Sequence, residues 1–304
     1  MNRIPVVIDT DAGIDDVVAL ALAVRSAELR VVAATTTYGN ATLGATTRNT
    51  REVLQLAGGE EVPVHPGADR PLVRPLVTAP ETHGESGVGY ARVPAEQAGH
   101  RIANPDVLLA VLSELDAPVT LVTLGPLTNL AHALARDAAL VRRRVARHLG
   151  MFGNMRERGN TNRWADFNAW CDPEAADAVI RADLPTEMVG LDVTRRMTFS
   201  ANDVRSLAAS PDRLARWLER ALWFYVEFHR HQERLDGCVV NDVLPIGELI
   251  APGVLGWQAL PLTVDLDDGP HRGHTRERAE GTPTRVAMEV DVATMRELLQ
   301  RVGL

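Results

Sequence analysis

Residues 4–10 (Ile-Pro-Val-Val-Ile-Asp-Thr) form an apolar, β-branched run with no polar alternation before its acidic end. Such a run marks a strand buried on both faces of a parallel sheet. Residues 14–27 follow with apolar side chains at helical spacing, and this strand-then-helix succession recurs down the chain. Further strands are expected at 29–37, 62–65, 119–124, 148–153 and 187–192. Helices are expected at 42–57, 104–115, 127–135 (opened by Gly125 and Pro126) and from Pro173 onward. A long amphipathic helix is expected over 211–234 and a shorter one over 242–250. Late strands at 260–265 and 285–290 flank a charged loop, 267–283, before a C-terminal helix. No repeat, low-complexity tract or linker interrupts the pattern, so 1–304 is expected to form a single α/β domain. Its sheet should be mostly parallel, with helices on both faces. Ligands of such sheets bind beyond the carboxyl ends of the strands. The Pro- and Gly-rich stretch 66–94 is long enough to read as a functional loop.

Composition excludes several chemistries. The chain has no lysine, so all 32 cationic side chains are arginine, which removes Schiff-base catalysis and the phosphate-binding lysines of P-loops and kinases. A net charge of -8 argues against nucleic acid as a partner. No run of about 18 apolar residues offers a membrane span. The first strand begins within four residues, so no leader is expected. Two cysteines, Cys171 and Cys238, make no disulfide framework, and a reducing, cytoplasmic setting is expected.

The first strand ends in Asp9-Thr10-Asp11-Ala12-Gly13-Ile14-Asp15-Asp16, four acids in eight positions. Capping and the helix dipole account for one or two acids at a helix N-terminus. Four at one strand end repel one another and call for a cation or strongly shifted pKa values. An oxygen-rich, multi-carboxylate site suits a hard cation such as calcium or magnesium. An Asp-x-Asp after a first strand also occurs in aspartate-nucleophile phosphatases, but those use a lysine near the phosphate, and none exists here.

The string Asp9 to Asp16 resembles the N-terminal signature of the inosine-uridine-preferring nucleoside hydrolases, a family of calcium-dependent nucleoside N-ribohydrolases. The resemblance continues in order through Thr36-Thr37-Tyr38-Gly39-Asn40, His83-Gly84-Glu85-Ser86-Gly87, Leu124-Gly125-Pro126-Leu127-Thr128-Asn129 and Met151-Phe152-Gly153. It then runs through Gly159-Asn160, Asp166-Phe167-Asn168, Asp172-Pro173-Glu174-Ala175-Ala176, Gly190-Leu191-Asp192-Val193-Thr194 and Asn241-Asp242. These strings span 4–245. Only the first is specific by itself.

The resemblance implies one Ca2+ held by Asp11, Asp16, Asp242 and the backbone carbonyl of Leu124, with ribose hydroxyls and a water completing the shell. Asp11 is then the base that takes a proton from the attacking water, with inversion at the anomeric carbon. Asp15, Asn40, Asn160, Asp166 and Asn168 match sugar-binding positions, and Met151 and Phe167 stand in the same matching strings. The resemblance further implies a small ribonucleoside as substrate, base and ribose as products, and a homodimer or homotetramer.

Two positions depart from the family pattern. Asp166 stands where glutamate is usual, shortening its reach toward the sugar's hydroxymethyl end by about 1.5 Å. Asn241 stands where the family has histidine or tryptophan. Asparagine cannot protonate or stack on a departing base and can only hydrogen-bond a base edge. His229, with Tyr225 one turn earlier on the same helix face, or His83 in the loop, is therefore expected to assist the leaving group. Trp217, Trp223, Phe224 and Phe228 read mainly as core, with room for one of them to face the pocket. His229 with His231, and His271 with His274, lack the further ligands of a zinc site. Ser86 lacks the strand and helix of a nucleophile elbow. Two other outcomes stay open at this point: a calcium-dependent nucleoside- or ribose-binding protein without turnover, and a hydrolase for an unusual ribosylated base.

Overall fold

The computed structural model describes residues 3–94 and 103–304. Its strands are β1 (Ile4–Thr10), β2 (Leu29–Thr36), β3 (Val64–Pro66), β4 (Val119–Thr123), β5 (Val145–Gly150) and β6 (Thr186–Met188). Then come β7 (Thr198–Ser200), β8 (Gly237–Val239), β9 (Leu255–Val264), β10 (Thr275–Glu277) and β11 (Pro283–Val290). The helices are α1 (Ile14–Arg25), α2 (Leu43–Ala57), α3 (Pro80–His83), α4 (Val107–Glu114), α5 (Thr128–Arg144) and α6 (Phe167–Cys171). They continue as α7 (Pro173–Ile180), α8 (Leu191–Thr194), α9 (Ala201–Leu207), α10 (Arg213–Glu233), α11 (Val243–Ile250) and α12 (Val292–Arg301).

Nine strands form one sheet in the order β10-β9-β11-β6-β5-β4-β1-β2-β3. Every pairing from β11 through β6 to β3 is parallel, and within this sheet only the pairings of β9, with β11 and with β10, are antiparallel. The expected α/β architecture is the observed one. The chain leaves β1 toward β2 and β3 on one side and builds β4, β5 and β6 on the other, so β1 and β4 flank a topological switch point. Sheet-like hydrogen bonds continue past the strand ends and hold the loops there in register. Thr37 donates to the Thr10 carbonyl at 3.0 Å, Leu124 to Asp9 at 2.8 Å and Met151 to Thr123 at 2.8 Å.

Two helices matter most for the site. Helix α1 is buried from Ile14 to Ala23, so its first turn cannot swing away from the strand end. Helix α10 is N-capped by Asp212, whose side chain accepts from Leu214 N–H at 3.0 Å, and it ends at Arg234 in the left-handed region (φ 58°). Its buried stripe runs Leu214, Leu218, Ala221, Leu222, Tyr225, Val226, His229, so the face that packs on the core ends in a tyrosine and a histidine. Trp217, Trp223, Phe224 and Phe228 flank that stripe, partly buried against the core.

Several elements differ from the sequence expectation. Strand β5 starts at Val145, ahead of the expected 148, because Arg147 is neutralised inside the sheet by Glu187 at 2.6 Å and Glu248 at 3.4 Å. The strand expected at 187–192 ends at Met188, where the chain turns into α8. Helix α5 runs on to Arg144 across a non-helical residue, Asp137. Strand β9 begins at Leu255, and the charged loop 267–283 contains β10 paired with it. The short elements α6, α9 and the β7–β8 ribbon were not anticipated.

His148 on β5 is fully buried, with Nε2 2.9 Å from Thr123 Oγ1 and Nδ1 3.1 Å from Thr186 Oγ1, bridging the two neighbouring strands. Burial pushes its pKa down to about 3 from the usual 6.5. Below pH 6.5 the unfolded chain therefore binds the proton that the folded chain refuses, and stability falls as pH drops from 6.5 toward 3. His148→Gln keeps a polar bridge and removes this dependence. In urea titrations between pH 7 and pH 5 the unmodified chain should lose about 2 kcal/mol more stability than the variant. Parallel losses would mean that the folded chain does take up that proton.

Candidate active site

The four N-terminal acids gather where β1 and β4 end. Asp15, Asp16 and Asp242 each offer a carboxylate oxygen, these atoms lie within 4.8 Å of one another, and all three residues are buried. Asp242 begins α11, 226 residues after Asp16, so sheet topology and not local sequence brings it in. Asp16 keeps a structural duty: its Oδ2 accepts from Gly13 N–H at 2.9 Å, closing the first turn of α1, and from Asn40 Nδ2 at 2.9 Å. Its Oδ1 accepts from Thr10 Oγ1 at 2.6 Å. Asp11 lies beside this group. Its Oδ2 accepts from the Asn40 backbone N–H at 2.8 Å, whereas its buried Oδ1 has no hydrogen-bond partner. Gly125 makes room for it, since a Cβ there would stand 2.7 Å from Asp11 Oδ1.

Burial raises the pKa of Asp11 and Asp242 well above the carboxylate range, and repulsion from the neighbouring aspartates raises both further. Asp15 and Asp16 are raised by the same burial, with Asp15 repelling Asp16, against donors that hold them down. A cluster that cannot keep all its negative charge and that carries an orphaned oxygen fits a cation. All the ligand atoms on offer are oxygens, including the carbonyl of Leu124, which suits a hard ion. Beneath it lies Asp9, whose Oδ1 accepts from Thr35 Oγ1 and, at 2.7 Å, from Asn129 Nδ2. Burial pushes Asp9 up to about 7.

A cavity of about 390 Å³ opens above the carboxylates. Asp15, Asp242 and Leu124 line its floor, while Asp11 and Asp16 sit behind it. Its walls carry Asn40, Met151, Asn160, Asp166, Phe167 and Asn168. The asparagine amides are oriented by what the protein itself takes from them. Asn168 donates through Nδ2 to the carbonyls of Leu124 (2.6 Å) and Met151 (2.9 Å), and Asn40 donates to Asp16, so each leaves Oδ1 as an acceptor. Asn160 Oδ1 instead accepts from Phe167 N–H at 2.8 Å, leaving its NH2 group. Asp166 Oδ1 accepts from Gly153 N–H (2.9 Å) and Ala169 N–H (3.0 Å), capping α6, and burial raises its pKa to about 6. Carboxylates and amide acceptors around one donor group make a surface for a ligand rich in hydroxyls.

The far wall is aromatic. The His229 and Tyr225 rings are 4.4 Å apart edge-on, and the His83 and Tyr225 rings are 5.3 Å apart. His229 is buried, not solvated. Backbone groups fix the two imidazoles in different tautomers. His83 Nδ1 receives the Ile14 N–H at 3.1 Å and so is unprotonated, leaving Nε2–H as a donor. His229 Nδ1 is 2.9 Å from the Tyr225 carbonyl, which can only accept, so Nδ1 carries the hydrogen. Gly13 permits the first arrangement: a Cβ there would lie 2.7 Å from His83 Nδ1. Asn241 donates to Asp15 Oδ2 through Nδ2 at 2.8 Å and its backbone N–H at 3.2 Å.

Every site residue expected from the sequence lies in this cavity or directly behind it. Others were missed. Arg158, Arg195, Gln232 and Glu233 also line the cavity, with Arg195 paired to Glu233 at 2.7 Å, and of the four α10 aromatics it is Phe228 that faces it. Asp192 accepts the backbone N–H groups of Met155 (2.7 Å), Arg156 (2.7 Å) and Glu157 (3.1 Å), and so holds the loop that carries Asn160. From the sequence Asp192 is the end of an expected strand and a member of a matching string, with no role assigned, and nothing in its neighbourhood points to a loop 35 residues upstream.

Comparison with known proteins is consistent across sequence and structure. A family model described as "Inosine-uridine preferring nucleoside hydrolase" matches residues 6–297. The chain is 37% identical over 251 residues to the pyrimidine-specific ribonucleoside hydrolase RihA of Enterobacter sp. (strain 638), covering 82% of this chain and 80% of that one. It is 31% identical over 310 residues to the inosine-uridine preferring nucleoside hydrolase of Crithidia fasciculata, covering 98% of both. Its fold superimposes on a plant nucleoside hydrolase with a TM-score of 0.91 and 30% identity, covering 99% of both chains.

Because the clustered carboxylates hold protons more tightly than free ones, seating a divalent cation among them must expel protons, and affinity must weaken as pH falls. Calorimetric titration with CaCl2 near pH 6, in two buffers of different ionisation enthalpy, should give apparent heats that differ by the protons released. Asp16→Asn should lower the affinity at least about tenfold. Heats independent of buffer, together with affinity independent of pH, would remove the cation from this site.

Proposed function

The chain belongs to the inosine-uridine preferring nucleoside hydrolase family, and we propose that it hydrolyses ribonucleosides to base and ribose at one Ca2+ held by Asp11, Asp16, Asp242 and the Leu124 carbonyl. The observation that carries this reading is the buried oxygen cluster at the β1–β4 switch point, with Asp11 Oδ1 unpartnered beneath a cavity of about 390 Å³. When bound, the ion neutralises the cluster, grips sugar hydroxyls and acidifies a water.

The remaining chemistry belongs to the side chains. Asp11 Oδ1 takes the proton of the attacking water, because the second oxygen is already engaged by Asn40 and the orphaned one is free. No enzyme nucleophile is required, and the sugar inverts at the anomeric carbon. Asp15 and the acceptor oxygens of Asn40 and Asn168 receive pentose hydroxyls, with Asn160 donating. Asp166 faces the hydroxymethyl end, and Met151 and Phe167 close the walls.

Of the two candidate histidines, His229 is the leaving-group acid. Its Nδ1–H bond to the Tyr225 carbonyl survives whether Nε2 is bare or protonated, so Nε2 can carry a proton and give it up. Burial lowers the pKa of both imidazoles, that of His83 to about 4. Only His83 would have to break a bond, the one from Ile14, to gain a second proton, whereas the Tyr225 carbonyl favours the protonated form of His229. His83 binds as a neutral donor. We propose a cytoplasmic homodimer or homotetramer. Cys171 and Cys238, both free and buried, fit that compartment.

The deciding experiment is release of free base from a panel of purine and pyrimidine ribonucleosides, with and without chelator. Release should stop on complete removal of divalent ions and return with CaCl2. Release that persists would defeat the calcium reading, and none from any nucleoside would defeat the hydrolase itself. The histidine roles separate on a riboside whose leaving group needs no proton, such as a 4-nitrophenyl riboside. His229→Gln should lower kcat on nucleosides by about 10²-fold or more and leave the activated riboside within a few-fold. His83→Gln should lower both substrates together. The reverse pattern would exchange the two assignments.

A further inference from the structure

Resting on the reading that Asp15 meets the pentose, we propose that Asn241 is a positioning residue for the sugar end of the cavity, acting through Asp15 and not on the base. The backbone N–H and the side-chain Nδ2 of Asn241 reach the same atom, Asp15 Oδ2, at 3.2 and 2.8 Å. Both residues are buried, with Asn241 8% and Asp15 4% exposed. Two donors on one oxygen fix the rotation of the carboxylate about its Cβ–Cγ bond. The amide orientation follows from chemistry, since a carboxylate only accepts and the NH2 group must face it. The carbonyl then points away and has no partner in the protein.

This clamp answers a local need. Asp15 shares its space with Asp16 and Asp242, with carboxylate oxygens of all three within 4.8 Å of one another, and their like charges would turn its carboxylate out of place. The needed counterweight is a donor without positive charge that leaves the cluster's cation requirement intact. A carboxamide supplies it, and the backbone N–H of the same residue supplies a second. A well-held buried acceptor discriminates strongly against a ligand that lacks the matching hydroxyl.

The test uses the full chain with CaCl2 added and compares Asn241→Asp, Asn241→Ala and Asn241→Ser. Asn241→Asp is isosteric and replaces the donor by a second carboxylate oxygen, so it separates loss of the clamp from loss of packing. For each, kcat/KM is measured on a ribonucleoside, its 2′-deoxy and 3′-deoxy counterparts, and one purine and one pyrimidine ribonucleoside. Asn241→Asp and Asn241→Ala should lose at least about tenfold of the preference for the full ribose over one of the deoxy sugars. Asn241→Ser, which keeps a short donor, should recover part of it, and the purine-to-pyrimidine ratio should stay within twofold throughout. A tenfold change in that base ratio with sugar preference intact would place Asn241 on the base. A uniform fall on all substrates would make it merely structural, and either result overturns the proposal. Absence of hydrolysis by the unmodified chain would instead overturn the reading of the site itself.

Discussion

Four carboxylates in one buried corner are the constraint around which the rest of this molecule is arranged. Two unit charges 4.8 Å apart repel by roughly 3 kcal/mol at the effective dielectric of a protein site, and the cluster contains several such pairs. Each hydrogen bond to a charged group returns roughly 1.5–3 kcal/mol. Thr10, Gly13, Asn40 and Asn241 provide such bonds to Asp11, Asp15 and Asp16. These bonds roughly offset the mutual repulsion, but they do not offset the loss of water around charges that are completely buried. The unpartnered Oδ1 of Asp11 shows where compensation within the protein stops. Either protons or a cation must supply the difference, and only a cation does so while leaving Asp11 ionised, as the base role proposed for it requires.

The position of the cluster follows from topology. In a parallel sheet all carboxyl ends lie on one edge, and where successive connections diverge, as between β1 and β4, no crossover covers that edge. The acidic end of β1 and the Leu124 carbonyl after β4 therefore share an open crevice. Asp242 arrives from the start of α11 because the buried stripe of α10, the short β8 and α11 all pack back over the same edge. This much was legible in the chain: the β-branched run of 4–10, the helical period after it and the acids between them already imply a parallel sheet with a charged carboxyl edge. Less legible were elements whose cause is remote. Arg147 breaks an apolar pattern and hides the start of β5, because its partners Glu187 and Glu248 are distant in sequence. Asp192 reads as the end of a strand until its loop is seen resting on it.

A sequence also names polar side chains without saying which of their atoms remain available. Asn40, Asn160, Asn168 and Asn241 are the same residue type, the first three matching sugar-binding positions and the fourth departing from the family pattern. Three of them turn their NH2 groups into the protein and one turns its oxygen in. His83 and His229 are likewise two imidazoles in one wall, and they differ because one ring meets a backbone N–H and the other a backbone carbonyl. The assignment of acid, donor and acceptor thus rests on main-chain groups of α1 and α10. Those groups are invisible to any reading of side-chain identity and are fixed once the helices pack.

The two departures from the family pattern share one physical consequence. Asp166, one methylene shorter than glutamate, uses an oxygen on the amides of Gly153 and Ala169, and Asn241 uses its donors on Asp15. In both, a group placed to touch the ends of a nucleoside is engaged by the scaffold. On the proposed reading, direct recognition then concentrates on the middle of the ligand, where the carboxylates and the Asn40 and Asn168 oxygens surround the pentose ring. The base end is left to aromatic surfaces, Tyr225 and Phe228, and to one proton donor, His229. Aromatic faces hold flat heterocycles of many kinds with little preference among them, whereas buried acceptors reject a missing hydroxyl steeply. On that reading the site is exacting about the sugar and permissive about the base, and its selectivity among bases would be set by how readily each departs once Nε2 of His229 has given up its proton.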